Sequence, residues 1–446
     1  MPVKRYSRHI IYTAVFVALL LSLYLLLVLS ATVPNSAIRG NMRQSAAFHA
    51  NAKHYDISED GVFQNISDNH ADQMWLNIGW NMGNGNPFLS ALNTRYYDGL
   101  EHGPAAGLYL SVVLGKEANA DYTRYWHGTA GILRFLHIFT DIHGIKTFGM
   151  LCLLLLIAKT FRILLRRGYP DLGACLLAAL FWVQVWNLRL SVEYLPSFLV
   201  CFGLCPAFLR LEQRGDFYLN ILGVISGTLT AFFDFLTTET VTILLPLILV
   251  IAIRSRERRL GSPRQVLTML LHCGACWLLA YAGTFAVKWI AVSLATGENH
   301  ILAALYSADQ RISGTVTVGQ ITKKPGMLMS IAANLSVLFQ GTSRTEYRLV
   351  IICLMAVGIV IFLICRFNRV RQKLHPGTGF LLMLGSIVLL RYSILANHSY
   401  KHAFFTYRAL VSTILAVLSA LVLNLQPVRK GGNRRSGTDH PDALSE

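Results

Sequence analysis

The sequence predicts an all-α protein, a polytopic bundle of about ten transmembrane helices, on three observations. Of its 446 residues 54% are hydrophobic and only 14% charged, whereas a soluble domain carries about 25% charged residues. Apolar runs long enough for a helix to cross the hydrocarbon core, which takes about 20 residues, recur along the chain. These runs are continuous and rich in Leu, Ala, Ile and Phe, without the alternation of barrel strands, so a closed barrel is excluded.

The net charge of +17 raises the question of nucleic acid. The cations answer it by their distribution. They stand in short clusters just after apolar runs: Arg162, Arg166 and Arg167; Arg254, Arg256, Arg258 and Arg259; Arg366, Arg369, Arg371 and Lys373; Arg429, Lys430, Arg434 and Arg435. This is the positive-inside pattern, which sets orientation in a membrane, and no nucleic-acid partner is expected. The eight cysteines all fall in expected spans, so no disulfide framework is expected. Cys273 and Cys276 form a C-x-x-C pair inside an apolar helix and read as small core residues.

Lys4, Arg5 and Arg8 precede an apolar run at about 10–31. It is longer than a signal-peptide core and reads as a retained first span that starts in the cytoplasm. Residues 32–146 then form a polar outer segment with ten of the 23 acidic residues. Two stretches in it, about 68–82 and 122–140, read as helices lying in the interface plane. Trp126, Ala130, Leu133 and His137 share one face of the second. Further spans are expected at about 147–165, 171–188, 195–210, 217–234, 238–253, 266–294, 349–365, 377–395 and 403–424. A second outer loop, 295–348, holds a helix at about 327–339 that reads as re-entrant or interfacial. The tail at 426–446, rich in Gly, Ser, Arg and Asp, reads as a disordered cytoplasmic segment. The plan is therefore a first span (1–31), a large outer loop (32–146), a bundle of spans two to seven (147–294), a second outer loop (295–348), three final spans (349–425) and a tail.

The sharpest chemical constellation is Ser67-Asp68-Asn69-His70-Ala71-Asp72-Gln73. On a helix Asp68 and Asp72 point the same way one turn apart, and like charges at that spacing repel. Repulsion raises a carboxyl pKa, which suits a general base, and the same spacing suits a divalent cation. An acidic helix start, with Ser67 as N-cap, explains the pattern equally well. Arg124-Tyr125-Trp126-His127-Gly128 offers a cation and an imidazole among aromatics, suited to a phosphate or a sugar or, more plainly, to an aromatic belt. Charges inside or at the edge of spans carry more weight, because each costs about 2.5–3.5 kcal/mol to insert. Asp234 lies between phenylalanines in Phe233-Asp234-Phe235, Glu239 follows it, and Arg391 sits near an outer span end. A structural ion pair between helices would account for such charges without catalysis. Lys401, His402 and Arg408 surround the last outer turn. All these residues fall at one level, the outer membrane boundary, where they would suit a substrate with a lipid tail and a charged or sugar head.

This layout resembles the GT-C class of polyprenyl-phosphate-dependent membrane glycosyltransferases. The points of likeness are the cytoplasmic start, the first span, the large first outer loop with Asp68 and Asp72 in it, and the segments Phe233-Asp234-Phe235-Leu236-Thr237 and Tyr400 to Arg408. The chain departs from the class in lacking an adjacent acidic pair after the first span. The resemblance implies single-displacement transfer of a sugar from a polyprenyl-phosphate donor to a glycan or glycolipid acceptor at the outer face of the cell membrane. Asp68 or Asp72 would serve as base, and Arg124, Arg391, Lys401 and Arg408 would serve the leaving phosphate. His127, Asp234, Glu239 and His402 would complete the substrate site. The same charges would also suit a transporter or flippase of a lipid-linked sugar, or a non-catalytic assembly protein of the cell envelope.

Overall fold

The computed structural model describes residues 5–57, 61–99, 106–318, 321–340, 357–358 and 374–425. The described residues are all-α apart from three two-stranded antiparallel ribbons of two or three residues per strand. Seven helical stretches are long and apolar enough to cross a membrane: Ser7–Thr32, Ile142–Arg166, Val192–Leu211, Asp216–Phe233, Pro263–Thr296, Gly377–Ile394 and Ala403–Asn424. They point to a multi-pass membrane protein. Two more of the ten expected spans are shorter helices, Pro170–Trp182 with 13 residues and Val241–Arg256 with 16. The expected span at 349–365, with Cys353 and Cys365, lies outside the described residues. So do the basic cluster from Arg366 to Lys373, the tail after Pro427, and the Gly103-Pro104 turn.

Burial follows from side-chain pattern. In Val241–Arg256 every residue but Arg254 and Arg256 is buried. A helix apolar on all sides must be surrounded, and this one forms the centre of the bundle. On the first helix Val17, Leu21, Leu25 and Leu29 make an exposed stripe at four-residue spacing, while Leu20, Leu23 and Leu27 are buried. In a bilayer the exposed stripe meets lipid at little cost. Asp216–Phe233 packs along Pro263–Thr296 through Gly223 and Gly227. A Cβ at Gly223 would lie 2.8 Å from the Cys273 carbonyl, and one at Gly227 would overlap the Trp277 carbonyl. Small residues four apart allow this close backbone approach. Cys273 is thus a buried packing residue. The Pro263–Thr296 helix opens with a capping box between Ser262 and Gln265 and stops at Gly297, whose φ of 78° only glycine adopts without strain.

Ion pairs tie the helices together at both ends of the bundle. At one end Glu212 receives Arg167 at 3.2 Å, Arg254 at 3.2 Å and Arg259 at 3.0 Å. Asp171 pairs with Arg256 there, and Asp216 with Arg254. Arg167, Arg254, Arg256 and Arg259, from two of the basic clusters, therefore gather on one side. At the other end Arg391 makes a two-pronged bond to Glu239, 2.7 Å from Nε to Oε1 and 3.1 Å from Nη2 to Oε2.

The polar segment 32–146 differs from expectation in detail. The helix expected at 68–82 is Asn69–Asn81, but 11 of its 13 residues are buried, so it is a core element rather than one lying flat in an interface. The second expected helix shrinks to Gly128–Leu136. His127 precedes it with φ 58°, which breaks the helical run, although Trp126, Ala130, Leu133 and His137 are all buried as one face. A 17-residue helix at Asn35–Asn51 has no apolar stripe strong enough to announce it. In the second loop Met327–Leu338 is helical, as expected.

Candidate functional site

Asp68 is placed by three local features. The ribbon pairing Tyr55–Asp56 with Ser67–Asp68 fixes its backbone. It is the N-cap of Asn69–Asn81, and its Oδ1 accepts the Ala71 amide at 2.9 Å. Its carboxyl and that of Glu193 stand on the wall of one cavity, close enough for their charges to repel. Burial, together with the nearby Asp72 charge, pushes the Asp68 carboxyl up to about 7.

Asp72 is placed differently. It is fully buried. Its Oδ1 accepts the Ser191 hydroxyl at 2.6 Å and the Val192 amide at 2.8 Å, and its Oδ2 lies 2.5 Å from Lys146 Nζ. The paired carboxylates of the sequence thus face separate partners. Asp72 fastens the 191–194 turn that carries Glu193, and so holds Glu193 against Asp68.

Asp68 and Glu193 line a cavity of ≈ 370 Å³ together with Arg124, Arg311, Lys401, His70, His398 and His402. Tyr55, Tyr122, Tyr125, Tyr306, Phe235 and Phe405 complete the wall. The Arg124 guanidinium stacks 4.5 Å from the Tyr122 ring, and its Nε is buried without a hydrogen-bond partner. Arg311 donates to the Tyr125 hydroxyl at 2.7 Å. Among the described residues none of these cations has a carboxylate partner. His402 stacks on Phe405 and lies 4.8 Å from the His398 ring. Burial, then the neighbouring His402, holds His398 well below its ordinary pKa.

Of the residues singled out in the sequence, Asp68, Arg124, Lys401 and His402 meet in this cavity. The others lie around it in structural bonds. His127 is buried beneath it, bonded through Nδ1 to the Thr94 hydroxyl at 3.0 Å, and burial pushes it well below its ordinary pKa. Asp234 closes its own turn, accepting the Thr237 amide at 2.9 Å. Glu239 and Arg391 hold each other, and Arg391 also binds Ser399 and the Leu236 carbonyl. Arg408 stacks 4.4 Å over Tyr194 and donates to the Gln64 carbonyl. Glu193 and His398, which the sequence also sets at turns between apolar runs, join Asp68, Arg124, Lys401 and His402 in the cavity, as does Arg311. Glu193 had one signal, an acid set in the apolar run Leu190 to Leu195. Arg311 had none.

A second cavity abuts the first. It is an apolar groove of ≈ 380 Å³ lined by Leu133, Ile145, Phe148, Val192, Leu195, Leu199, Gly203, Leu204 and Phe233. Val192 lines the groove and the next residue, Glu193, lines the polar cavity, so this dipeptide is part of the wall of both spaces. Among the described residues no group of three or more His, Cys, Asp or Glu side chains is arranged to hold a metal ion.

No family model, no curated protein and no solved structure matches this chain.

Proposed function

We propose that this chain is a membrane glycosyltransferase that moves a sugar from a polyprenyl-phosphate donor to an acceptor hydroxyl by single displacement, with Asp68 as general base. The observation that carries this reading is the shared wall at Val192–Glu193. On one side lies a polar space with an acid of raised pKa and several cations. On the other lies an apolar groove among membrane-length helices, suited to an isoprenoid chain.

In the proposed reaction the acceptor O–H gives its proton to Asp68. The acceptor oxygen forms a bond to the anomeric carbon, and the bond from that carbon to the phosphate oxygen breaks. The electron pair leaves with the lipid phosphate, which Arg124, Arg311 and Lys401 neutralise. A base with a pKa near the operating pH is worth about 10²–10⁴-fold in rate, and fixed cations in a dry site add to this. A single displacement inverts the anomeric centre. Of the two carboxylates, Asp68 takes the role of base because the Asp72 oxygens are committed to Ser191, Val192 and Lys146. The positive-inside rule puts the Arg-rich end of the bundle in the cytoplasm and the cavity on the extracytoplasmic face.

The test is transfer in sealed proteoliposomes with a radiolabelled polyprenyl-phosphate hexose or pentose and a panel of glycan acceptors. Labelled glycan with inverted configuration is the expected product. Movement of the intact lipid-linked sugar between leaflets, without release of polyprenyl phosphate, would replace this reading with that of a flippase.

A further inference from the structure

A larger cavity than the one that holds Asp68 lies elsewhere in the described structure. It is a cleft of ≈ 710 Å³ at the far end of the Asn69–Asn81 helix, about 20 Å from Asp68 at 1.5 Å of rise per residue. Its lining is mostly polar: Asn35, Asn81, Asn84 and Asn93, Trp80, and the cations Arg39, Arg43, Arg95 and Lys116. Arg95 is paired with Asp121. Arg39, Arg43 and Lys116 have no ion pair among the described residues, and Glu117 is the one acid in the lining.

The amides are ordered by a chain of hydrogen bonds. Arg134 Nη1 donates to Asn35 Oδ1 at 2.7 Å, Asn35 Nδ2 to Asn84 Oδ1 at 2.9 Å, and Asn84 Nδ2 to Asn81 Oδ1 at 3.3 Å. Asn81 Nδ2 in turn donates to Asn77 and Ser111. The buried Arg134 guanidinium anchors the series, bonded also to the Ser30 and Gly79 carbonyls. Each amide in the chain fixes the orientation of the next and keeps spare donor or acceptor capacity. Asn93 Oδ1, in the same wall, is buried with no donor. Oriented amides suit vicinal hydroxyls, an indole suits a sugar face, and unpaired guanidinium groups suit carboxylate or phosphate.

We propose that this cleft is a second binding site, for an acidic carbohydrate whose hydroxyls meet the asparagines and whose carboxylate meets Arg39 and Arg43. It does not depend on glycosyl transfer at Asp68. Arg39 and Arg43 stand four apart on Asn35–Asn51 and present two cations one helical turn apart, a spacing that repels unless an anion lies between them.

The experiment uses the full-length protein in detergent or nanodiscs, carrying Asp68→Asn so that turnover at the other cavity is removed from the readout. Oligogalacturonate, a uronic-acid oligomer, is titrated against the neutral maltohexaose while tryptophan fluorescence is followed, with Trp80→Phe assigning the signal. The expected result is saturable binding of the acidic oligomer alone, weakened about tenfold by Arg39→Gln or Arg43→Gln, the loss of one charge-assisted hydrogen bond. Equal binding of maltohexaose, no saturable binding of either oligomer, or an affinity unchanged in both arginine variants would overturn the proposal. Circular dichroism of each variant confirms that the helices are retained.

Discussion

The carboxyl groups of Asp68 and Glu193 are buried on the wall of one cavity, one at the N-cap of the Asn69–Asn81 helix and the other at the mouth of a membrane-length helix. Two buried carboxylates so placed repel, which favours one shared proton over two charges. Because burial raises Asp68 to about 7, the basic form appears as pH rises through that value. Transfer activity is expected to climb between about pH 6 and 8 and then to level. Stability runs the other way. The folded chain holds this proton more tightly than the unfolded chain does, so between the ordinary carboxylate range and about pH 7 stability falls as pH rises. Thermal unfolding at pH 5 and pH 7.5 should show a larger drop for the wild type than for Asp68→Asn. An equal drop in both would contradict the shared proton.

Asp72 is expected to act through structure. Lys146→Met leaves its carboxylate buried without a cation, a change that costs about 3–5 kcal/mol. Asp72→Asn is milder, since the amide oxygen still accepts from Ser191 and Val192. Both variants should lose melting temperature, and residual activity should follow the folded fraction. If Asp72→Asn abolished transfer while melting like the wild type, Asp72 and not Asp68 would be the base.

Arg391 and Glu239 form a buried pair between two elements, and Arg391 also holds the Leu236 carbonyl in a turn where Leu236 has φ 67°. Arg391→Met should destabilise by about 3–5 kcal/mol, and adding Glu239→Gln should recover part of it by removing the orphaned charge. Chemical denaturation in detergent reads this. Unchanged stability with a raised KM would move Arg391 into the substrate site.

The apolar groove can be filled without strain at Gly203, where an added Cβ meets nothing within 4 Å. Gly203→Leu is expected to raise KM for a long-chain polyprenyl donor several-fold while sparing a short-chain analogue. Equal effects on both donors would separate the groove from the lipid tail.

The membrane class was legible from composition and apolar runs alone, because hydrocarbon leaves a chain few ways to satisfy its backbone. Span limits were less so: Pro170–Trp182, with 13 residues, stops well short of the expected end at 188, and Val241–Arg256 is shifted along the chain from the span expected at 238–253. At the site, Asp68 stood out by its spacing from Asp72, but the spacing suggested two equivalent acids. Their difference comes from Lys146 and Ser191, which chain folding alone brings to Asp72. The roles of Glu193, Arg311 and His398 are hidden for the same reason, since each gains its meaning from neighbours remote in sequence. Asn35–Asn51 buries Ile38, Met42 and Ala46 at four-residue spacing together with Ser45 and His49, a face too mixed in polarity to stand out in the sequence.

Single-turnover transfer from a polyprenyl-phosphate sugar, comparing the wild type with Asp68→Asn at pH 7.5, tests the central claim most directly. A rate lower by about 10²–10⁴-fold in the variant, with donor binding and melting behaviour retained, is the result expected of a general base. Wild-type rates from a folded Asp68→Asn protein would contradict it.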